Sequence, residues 1–193
     1  MLLLPFLACV PVLHSKGEDA VSALSCIGDG NSWPTGELLW TPPTDPQAFV
    51  TDAVTPDFCM DDQFADPVAL YQFNTHYTVV DVSALWCVPC QNIAADVQAT
   101  VDANPGLVYV TVMRENMEND PPTTEDLLYW AESFGIDQPV VSDPTGWSDP
   151  LTGGVIFPAL LLLDDQLRVV TRVPESYLEP EALRNYLEGY LPG

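Results

Sequence analysis

Basic residues are scarce in this chain. Five lysines and arginines stand against 28 aspartates and glutamates, which gives a net charge of −23 over 193 residues. Proteins that bind nucleic acid or anionic lipid headgroups need a basic surface, because they must neutralise phosphate. The charge balance therefore excludes a nucleic-acid-binding protein and a protein held on anionic lipid by electrostatic attraction. We expect a solvated, acidic surface.

Histidine is scarce as well. His14 and His76 are the two in the chain, and neither stands at a ligand spacing from the cysteine pair Cys87 and Cys90. Structural zinc sites take four cysteine or histidine ligands, usually as two closely spaced pairs. One pair is present, so we expect no metal site, and we expect no other cofactor.

Long apolar runs are missing as well. Residues 2–13 are mostly apolar but are interrupted by Pro5 and Pro11, and a membrane-spanning helix needs about 20 residues. The stretch Phe6-Leu7-Ala8-Cys9 is similar to a lipobox, in which Cys9 becomes the lipidated N-terminus, although a basic n-region is absent. Three alternatives stay open: a lipid anchor on Cys9, a cleaved signal on a soluble protein, and no export.

The most specific chemistry lies in Cys87-Val88-Pro89-Cys90. The motif follows the apolar stretch 78–82 and Trp86, so it falls where a strand ends and a helix begins. Two thiols at this spacing form a disulfide reversibly, which is typical of a redox site. Cys87 is expected to be the nucleophile, because the N-terminal end of a helix stabilises a thiolate. Cys90, one turn later, is expected to be the resolving thiol.

A purely structural Cys87–Cys90 bridge is the main alternative for this motif. A bridge across two residues closes a very small loop, so it removes little entropy from the unfolded chain. Pro89 suits the first helical turn, where its missing N–H costs nothing. The spacing therefore favours redox chemistry over structural stabilisation.

Two further residues fit a redox site. Pro158 follows Phe157 and opens the apolar stretch 159–163, and an X-Pro bond at a strand start adopts the cis form at low cost. Asp81 lies within an apolar strand, six residues before Cys87, where burial would raise its pKa. A position at a strand edge, with Asp81 facing solvent, is the alternative that the sequence leaves open.

Through the cysteine pair, Pro158 and Asp81, residues 66–193 resemble the thioredoxin superfamily. The resemblance implies an α/β fold in which a central mixed sheet is flanked by helices. It implies that Phe157 and Pro158 form a cis-proline loop that faces the dithiol and binds substrate. It also implies that Trp86 and Pro89 belong to the active site, and that Asp81 is the acid/base partner of Cys90.

The predicted order of elements agrees with this fold. Strands are predicted at residues 68–73, 78–83, 107–113, 159–164 and 167–173. Helices are predicted from Val88 to Asn104, over 123–134, and from about Pro180. The helix at 123–134, together with the strand-like stretch 138–143, lies between the third strand and Pro158. Such an insertion is similar to the TlpA/ResA branch, which is related to the AhpC/TSA peroxiredoxins.

The chain also departs from these relatives. The TlpA/ResA group usually follows its second cysteine with a basic residue, Glu and Pro, whereas this chain has Gln91-Asn92-Ile93. The chain therefore lacks the motif that would indicate a specific role in cytochrome c maturation. Peroxiredoxins carry Thr or Ser three residues before the reactive cysteine, where this chain has Ala84. A peroxidase and a non-enzymatic binding domain remain alternatives to a disulfide oxidoreductase that reduces exported proteins.

We expect three regions: a signal- or lipobox-like segment at 1–9, a Pro/Asp/Thr-rich tether and irregular N-terminal extension at 10–62, and a thioredoxin-like domain at 63–193. Cys26 and Cys59 either pair or remain two free buried thiols; pairing would indicate an oxidising compartment. The resemblance points to the periplasmic side of a bacterial envelope, with a lipid anchor if Cys9 is modified. We expect a monomer whose partners are a disulfide-bearing client protein and an upstream thiol electron donor.

Overall fold

The structure, a computed structural model, describes residues 26, 31–37, 40–41 and 47–192. The predictions for Cys9 and for the apolar run at residues 2–13 lie outside this part of the chain. Within it, no helix is long and apolar enough to cross a membrane.

A five-stranded mixed sheet forms the centre of the fold. A short antiparallel hairpin of β1 (Cys59–Asp61) and β2 (Pro67–Ala69) precedes it. The sheet consists of β3 (Tyr77–Ala84), β4 (Leu107–Glu115), β5 (Val140–Ser142), β6 (Ala159–Leu163) and β7 (Val169–Arg172). Their order is β5-β4-β3-β6-β7, with β3, β4 and β5 parallel to one another and β6 and β7 antiparallel to their neighbours. The predicted α/β architecture with a mixed sheet is confirmed.

Helices cover one face of this sheet, except for one short helix that buries Leu151 on the opposite face. They are α1 (Val88–Ala94), α2 (Val97–Ala103), α3 (Thr124–Phe134), α4 (Asp149–Thr152) and α5 (Pro180–Glu188). All of these except α4 contribute to one buried apolar cluster, which includes Ile93, Val97, Leu127, Trp130 and Leu183. Burial of such side chains supplies about 1.5–3 kcal/mol each, so this face anchors the helices to the sheet.

The N-terminal extension covers the opposite face. Val54, Phe58 and Met60 are buried there with Val68, and Val54 also forms a β-bridge to Arg168 of the hairpin between β6 and β7. Residues on both sides of the predicted boundary between the extension (10–62) and the thioredoxin-like domain (63–193) thus share one apolar cluster. The part of the extension that contains Val54, Phe58 and Met60 belongs to the core, because it supplies apolar side chains that cover one face of the sheet.

The extension is also held by buried polar side chains. Asn31 donates hydrogen bonds to the backbone oxygen of Pro67 (2.7 Å) and to the side chain of Gln72 (3.0 Å). The Trp33 indole N–H donates to the carboxylate of Asp62, which is fully buried. These contacts fix residues 31–37 against the 3₁₀ turn that follows β2.

Two predicted strands are shorter than expected. The stretch 68–73 is strand only as far as Ala69, and Leu70–Phe73 form a 3₁₀ turn whose four residues are all buried. A short apolar run does not distinguish a buried strand from a buried turn. The strand predicted at 167–173 begins at Val169, because Leu167 adopts a left-handed conformation (φ 58°) in the preceding hairpin turn.

The long helix predicted from Val88 to Asn104 is divided between Ala95 and Asp96. The Asp96 N–H donates to the Ile93 carbonyl oxygen (2.9 Å), a contact three residues back that ends α1. The Asp96 carboxylate also forms an ion pair with Arg184 of α5. Because both halves face the same sheet, the apolar stripe continues through the break and conceals it in the sequence.

The prediction of a helix at 123–134 is confirmed by α3, and both ends of this helix are capped. The Asp126 N–H donates to Thr123 Oγ1 (3.3 Å), and the Thr123 N–H donates to the Asp126 carboxylate (2.8 Å), which makes a reciprocal cap. The helix ends at Gly135, whose φ of 63° suits a residue without a Cβ.

Candidate redox site

The cysteine pair follows the C-terminal end of β3, the central strand of the sheet. Cys87 and Cys90 form a disulfide with a Cα–Cα distance of 5.2 Å. Cys87 is the N-cap of α1, and its Sγ accepts a hydrogen bond from the Cys90 N–H at 3.2 Å. Both cysteines are buried, while Pro89 lies exposed in the first turn of the helix. The strand, turn and helix therefore place the pair as the spacing predicts.

The loop around Pro158 meets the dithiol segment. The Phe157–Pro158 peptide bond is cis, and Ala159, the first residue of β6, pairs with Val82 of β3. The ring of Phe157 packs edge-on against the indole of Trp86, with centroids 5.8 Å apart. Two segments about 70 residues apart in the chain are thereby brought together, as the resemblance implies.

Asp81 is buried near the middle of β3. It is 1% exposed, so the alternative in which it faces solvent at a strand edge is wrong. Side chains alternate along a strand, and its neighbour Val79 on the same sheet face belongs to the cluster that contains Cys87 and Cys90. Asp81 therefore lies on the face of the sheet that carries the dithiol.

Two hydroxyl groups hold the Asp81 carboxylate. Ser83 Oγ donates to Oδ1 at 3.0 Å, and the hydroxyl of Tyr109 in β4 donates to Oδ2 at 3.1 Å. Burial raises the pKa of Asp81 to about 6, and these two hydrogen bonds act in the opposite direction. The pKa of Tyr109 is raised well above its usual 10, first by burial and then by the charge of Asp81, so its hydroxyl remains a donor.

Sequence reasoning missed Tyr109. It reads as an ordinary apolar residue of a buried strand, and its role depends on how β3 and β4 are aligned. Asp81 pairs with Thr111, which places Tyr109 two residues away on the same side of the sheet. A register assigned to the two predicted strands would have provided the signal.

Exposed apolar side chains occur in both segments of the site: Trp86 and Val88 next to the cysteines, and Val155 and Ile156 shortly before the cis-proline. Trp86 is 39% exposed and Val155 is 74% exposed, and the other two side chains are exposed as well. The indole N–H of Trp86 donates to the Glu115 carboxylate at 3.0 Å. Large apolar side chains that cluster on a surface typically mark an interaction site.

A second disulfide joins Cys26 to Cys59, with a Cα–Cα distance of 5.7 Å. Cys26 is buried, and Cys59 is the exposed first residue of β1. A cavity of about 460 Å³ adjoins Cys59, between β1, the start of α3 and the end of β5, and neither Cys87 nor Cys90 lines it. Among the described residues, no group of three or more His, Cys, Asp or Glu is arranged to hold a metal ion.

Solved structures resemble this architecture. The thioredoxin domain of a thiol-disulfide oxidoreductase from Bacteroides vulgatus has a TM-score of 0.61 at 20% identity, covering 75% of this chain and 100% of that chain. A secreted disulfide oxidoreductase from Mycobacterium tuberculosis, described as homologous to E. coli DsbE, has a TM-score of 0.57 at 14% identity, covering 68% and 95%. A secreted thiol-disulfide isomerase from Corynebacterium glutamicum has a TM-score of 0.55 at 20% identity, covering 69% and 80%.

No protein-family model and no curated protein matches the chain. At identities of 14% to 20%, the structural likenesses establish the fold. The chain has the thioredoxin-like fold, and its structural neighbours are thiol-disulfide oxidoreductases.

Proposed function

We propose that this protein is a thiol-disulfide oxidoreductase that exchanges disulfides through Cys87 and Cys90. One observation carries the proposal: a Cys87–Cys90 disulfide at the start of α1 lies beside a cis-Pro158 loop, in the fold of known thiol-disulfide oxidoreductases. The buried carboxylate on the same sheet face supports it, because a proton acceptor is required when a thiol must become a nucleophile.

The reaction follows from the positions of the two thiols. In the reduced protein, the Cys87 thiolate attacks one sulfur of a client disulfide; the client S–S bond breaks, and its second sulfur leaves as a thiolate. Cys90 then gives its proton to a base and attacks Cys87 Sγ. The bond between Cys87 and the client breaks, and the client is released with two thiols. Two electrons have moved to the client, and an upstream thiol donor must reduce the Cys87–Cys90 bridge again.

Asp81 is the proposed base for the Cys90 proton. Its pKa of about 6 allows the carboxylate to be charged at neutral pH yet to bind a proton readily. Trp86, Phe157 and Pro158 are the proposed contacts for the client, since Trp86 directly precedes Cys87 and packs against Phe157 of the cis-proline loop. Pro89 is proposed to hold the first turn of α1 in the geometry that the ring requires.

We propose an exported location. Two neighbours are described as secreted, and the Cys26–Cys59 disulfide suits an oxidising compartment such as a bacterial periplasm. The clients would then be exported proteins with disulfides. Cys87, Cys90 and the cis-proline Pro158 all belong to one chain, so a monomer suffices for the proposed reaction. Lipidation of Cys9 is part of this proposal as the means of anchoring.

Reduction of insulin tests the proposed function. The purified chain should accelerate insulin precipitation by dithiothreitol, and Cys87→Ser should abolish the acceleration because no nucleophile remains. Cys90→Ser should instead accumulate a mixed disulfide on Cys87 that mass spectrometry detects. A Cys26→Ser/Cys59→Ser variant that still folds is the control, and it should retain the activity. A folded, reduced wild-type chain without any acceleration would indicate a binding domain.

A further inference from the structure

We propose that Tyr109 and Ser83 are positioning residues for proton transfer at the dithiol, which they support by holding the Asp81 carboxylate in one orientation. This inference rests on the proposed function and assigns two further residues to the same site. Neither side chain takes part in the exchange of sulfur bonds. Their effect is on the group that accepts the Cys90 proton.

The geometry fixes the carboxylate from two directions. Ser83 belongs to β3 itself and donates to Oδ1, whereas Tyr109 belongs to the neighbouring β4 and donates to Oδ2. Each oxygen thus has its own donor, and the carboxylate cannot rotate without losing one of two buried hydrogen bonds. All three residues are buried, so water does not replace a lost donor at low cost.

The arrangement lies on the sheet face that packs against the dithiol. Tyr109 shares an apolar cluster with Cys87, Cys90 and Ile93, which places β4 and α1 on opposite sides of the same packed layer. Asp81 and Ser83 lie on this face of β3 by the alternation of the strand. On the other side of β3, Leu160 of β6 is the residue paired with Asp81, and it is apolar.

The charges near Asp81 explain why its carboxylate depends on the hydroxyls of Ser83 and Tyr109. Asp96, at the break between α1 and α2, adds negative charge that acts on Tyr109, but its carboxylate is paired with Arg184 of α5. The two hydrogen-bond donors that the structure gives Asp81 are both neutral hydroxyls. A buried carboxylate without a cationic donor depends on such hydrogen bonds to remain charged.

Loss of either hydroxyl should therefore change the proton step. Burial alone favours the protonated acid, and the two hydrogen bonds bring the pKa of Asp81 to about 6. If one bond is removed, Asp81 keeps its proton to a higher pH, and near neutrality fewer molecules then have a charged Asp81 to accept the Cys90 proton. The step itself is balanced: the proton moves from Cys90 Sγ to Asp81, the Cys90 thiolate bonds to Cys87 Sγ, and the electron pair of the Cys87–client bond leaves with the client sulfur.

The test is the pH profile of dithiol closure in the full chain. Reduced protein is mixed with excess insulin between pH 5 and 9, quenched with acid and alkylated, and the closed Cys87–Cys90 bridge is counted by mass spectrometry. In the wild type, the rate of Cys87–Cys90 closure should fall as the pH is lowered, with a midpoint near the Asp81 pKa of about 6. Tyr109→Phe should move that midpoint up by about one pH unit, with a rate near wild type at pH 9.

Three further variants separate positioning from stability. Tyr71→Phe removes another buried hydroxyl, which donates to the Thr55 carbonyl oxygen on the opposite sheet face, and it should leave the profile unmoved. Ser83→Ala should shift the midpoint in the same direction as Tyr109→Phe. It provides the same test if Tyr109→Phe fails to fold. Ser83→Thr keeps a hydroxyl and should restore the wild-type profile.

The outcomes distinguish this inference from the proposed function. A wild-type chain that closes no bridge at any pH overturns the function itself. If wild type closes normally but Tyr109→Phe and Ser83→Ala keep its midpoint, or slow closure equally at every pH, the positioning roles are wrong and the function stands. In an Asp81→Asn background, Tyr109→Phe should cause no additional shift, because the group that it positions is no longer a base.

Discussion

Replacing Asp81 with asparagine should stabilise the oxidised protein at alkaline pH, although it removes the proposed base. Asp81 is buried, and burial raises its pKa from 3.8 to about 6. The folded state therefore binds this proton more tightly than the unfolded state does. As pH rises from 3.8 to 6, the unfolded state loses the proton first, so the free energy of unfolding falls across this range and stays lower above it.

The magnitude follows from the size of the pKa change. A pKa that rises from 3.8 to about 6 corresponds to about 3 kcal/mol of lost stability at pH 8. Asparagine carries no charge, so it avoids this cost. Its single amide oxygen cannot replace both carboxylate oxygens, and one of the donors, Ser83 or Tyr109, loses its acceptor at a cost of about 1 kcal/mol. We expect a net gain of about 2 kcal/mol at pH 8 and none at pH 3.5.

The assay is urea unfolding of the oxidised variant and wild type at a series of pH values. Asp57 also has a raised pKa, about 7, caused by burial, so only the difference between the two proteins isolates Asp81. Asp120→Asn, at an exposed position, should leave the stability unchanged and controls for net charge. If Asp81→Asn differs from wild type by the same amount at pH 3.5 and pH 8, the reasoning about the buried carboxylate is refuted.

Three further predictions concern the cap, the second disulfide and the surface charge. Thr123→Ala should cost about 1 kcal/mol in urea unfolding because α3 loses its N-cap, while a matched Thr124→Ala change should cost clearly less; equal losses would contradict the capping role. Removing the Cys26–Cys59 bridge, which spans 33 residues, should lower stability by about 3–4 kcal/mol, and an unchanged urea midpoint would show that the bridge does not constrain the chain. With a net charge of −23, kcat/KM for a lysine-rich disulfide peptide should fall steeply as salt rises, whereas a glutamate-rich peptide should show the reverse trend.

The local parts of the site could be predicted from sequence. Cys87 and Cys90 are three residues apart in one helical turn. The N-cap of α3 is a side chain close in sequence to the backbone group that it binds. Such features depend on residue spacing alone. Pro158 can be recognised from sequence because proline occurs in sheets at only a few positions, one of which is the start of a strand.

The non-local parts could not be predicted. The contact of Tyr109 with Asp81 depends on strand register, which no single strand encodes. The packing of Val54 and Phe58 beneath the sheet depends on an irregular segment, where side-chain periodicity gives no signal. At the helix break, Asp96 is paired with Arg184, which lies 88 residues away in the chain.

The redox equilibrium of Cys87 and Cys90 tests the central claim most directly. The chain would be equilibrated in glutathione or dithiothreitol buffers of known potential, the free thiols trapped by alkylation, and each cysteine pair read separately by mass spectrometry. We predict that the Cys87–Cys90 bridge opens at a potential between about −120 and −270 mV, the range of dithiols that exchange with clients, while the Cys26–Cys59 bridge opens only at a lower potential. A Cys87–Cys90 bridge that stays closed in all of these buffers would be structural and would contradict the proposed oxidoreductase.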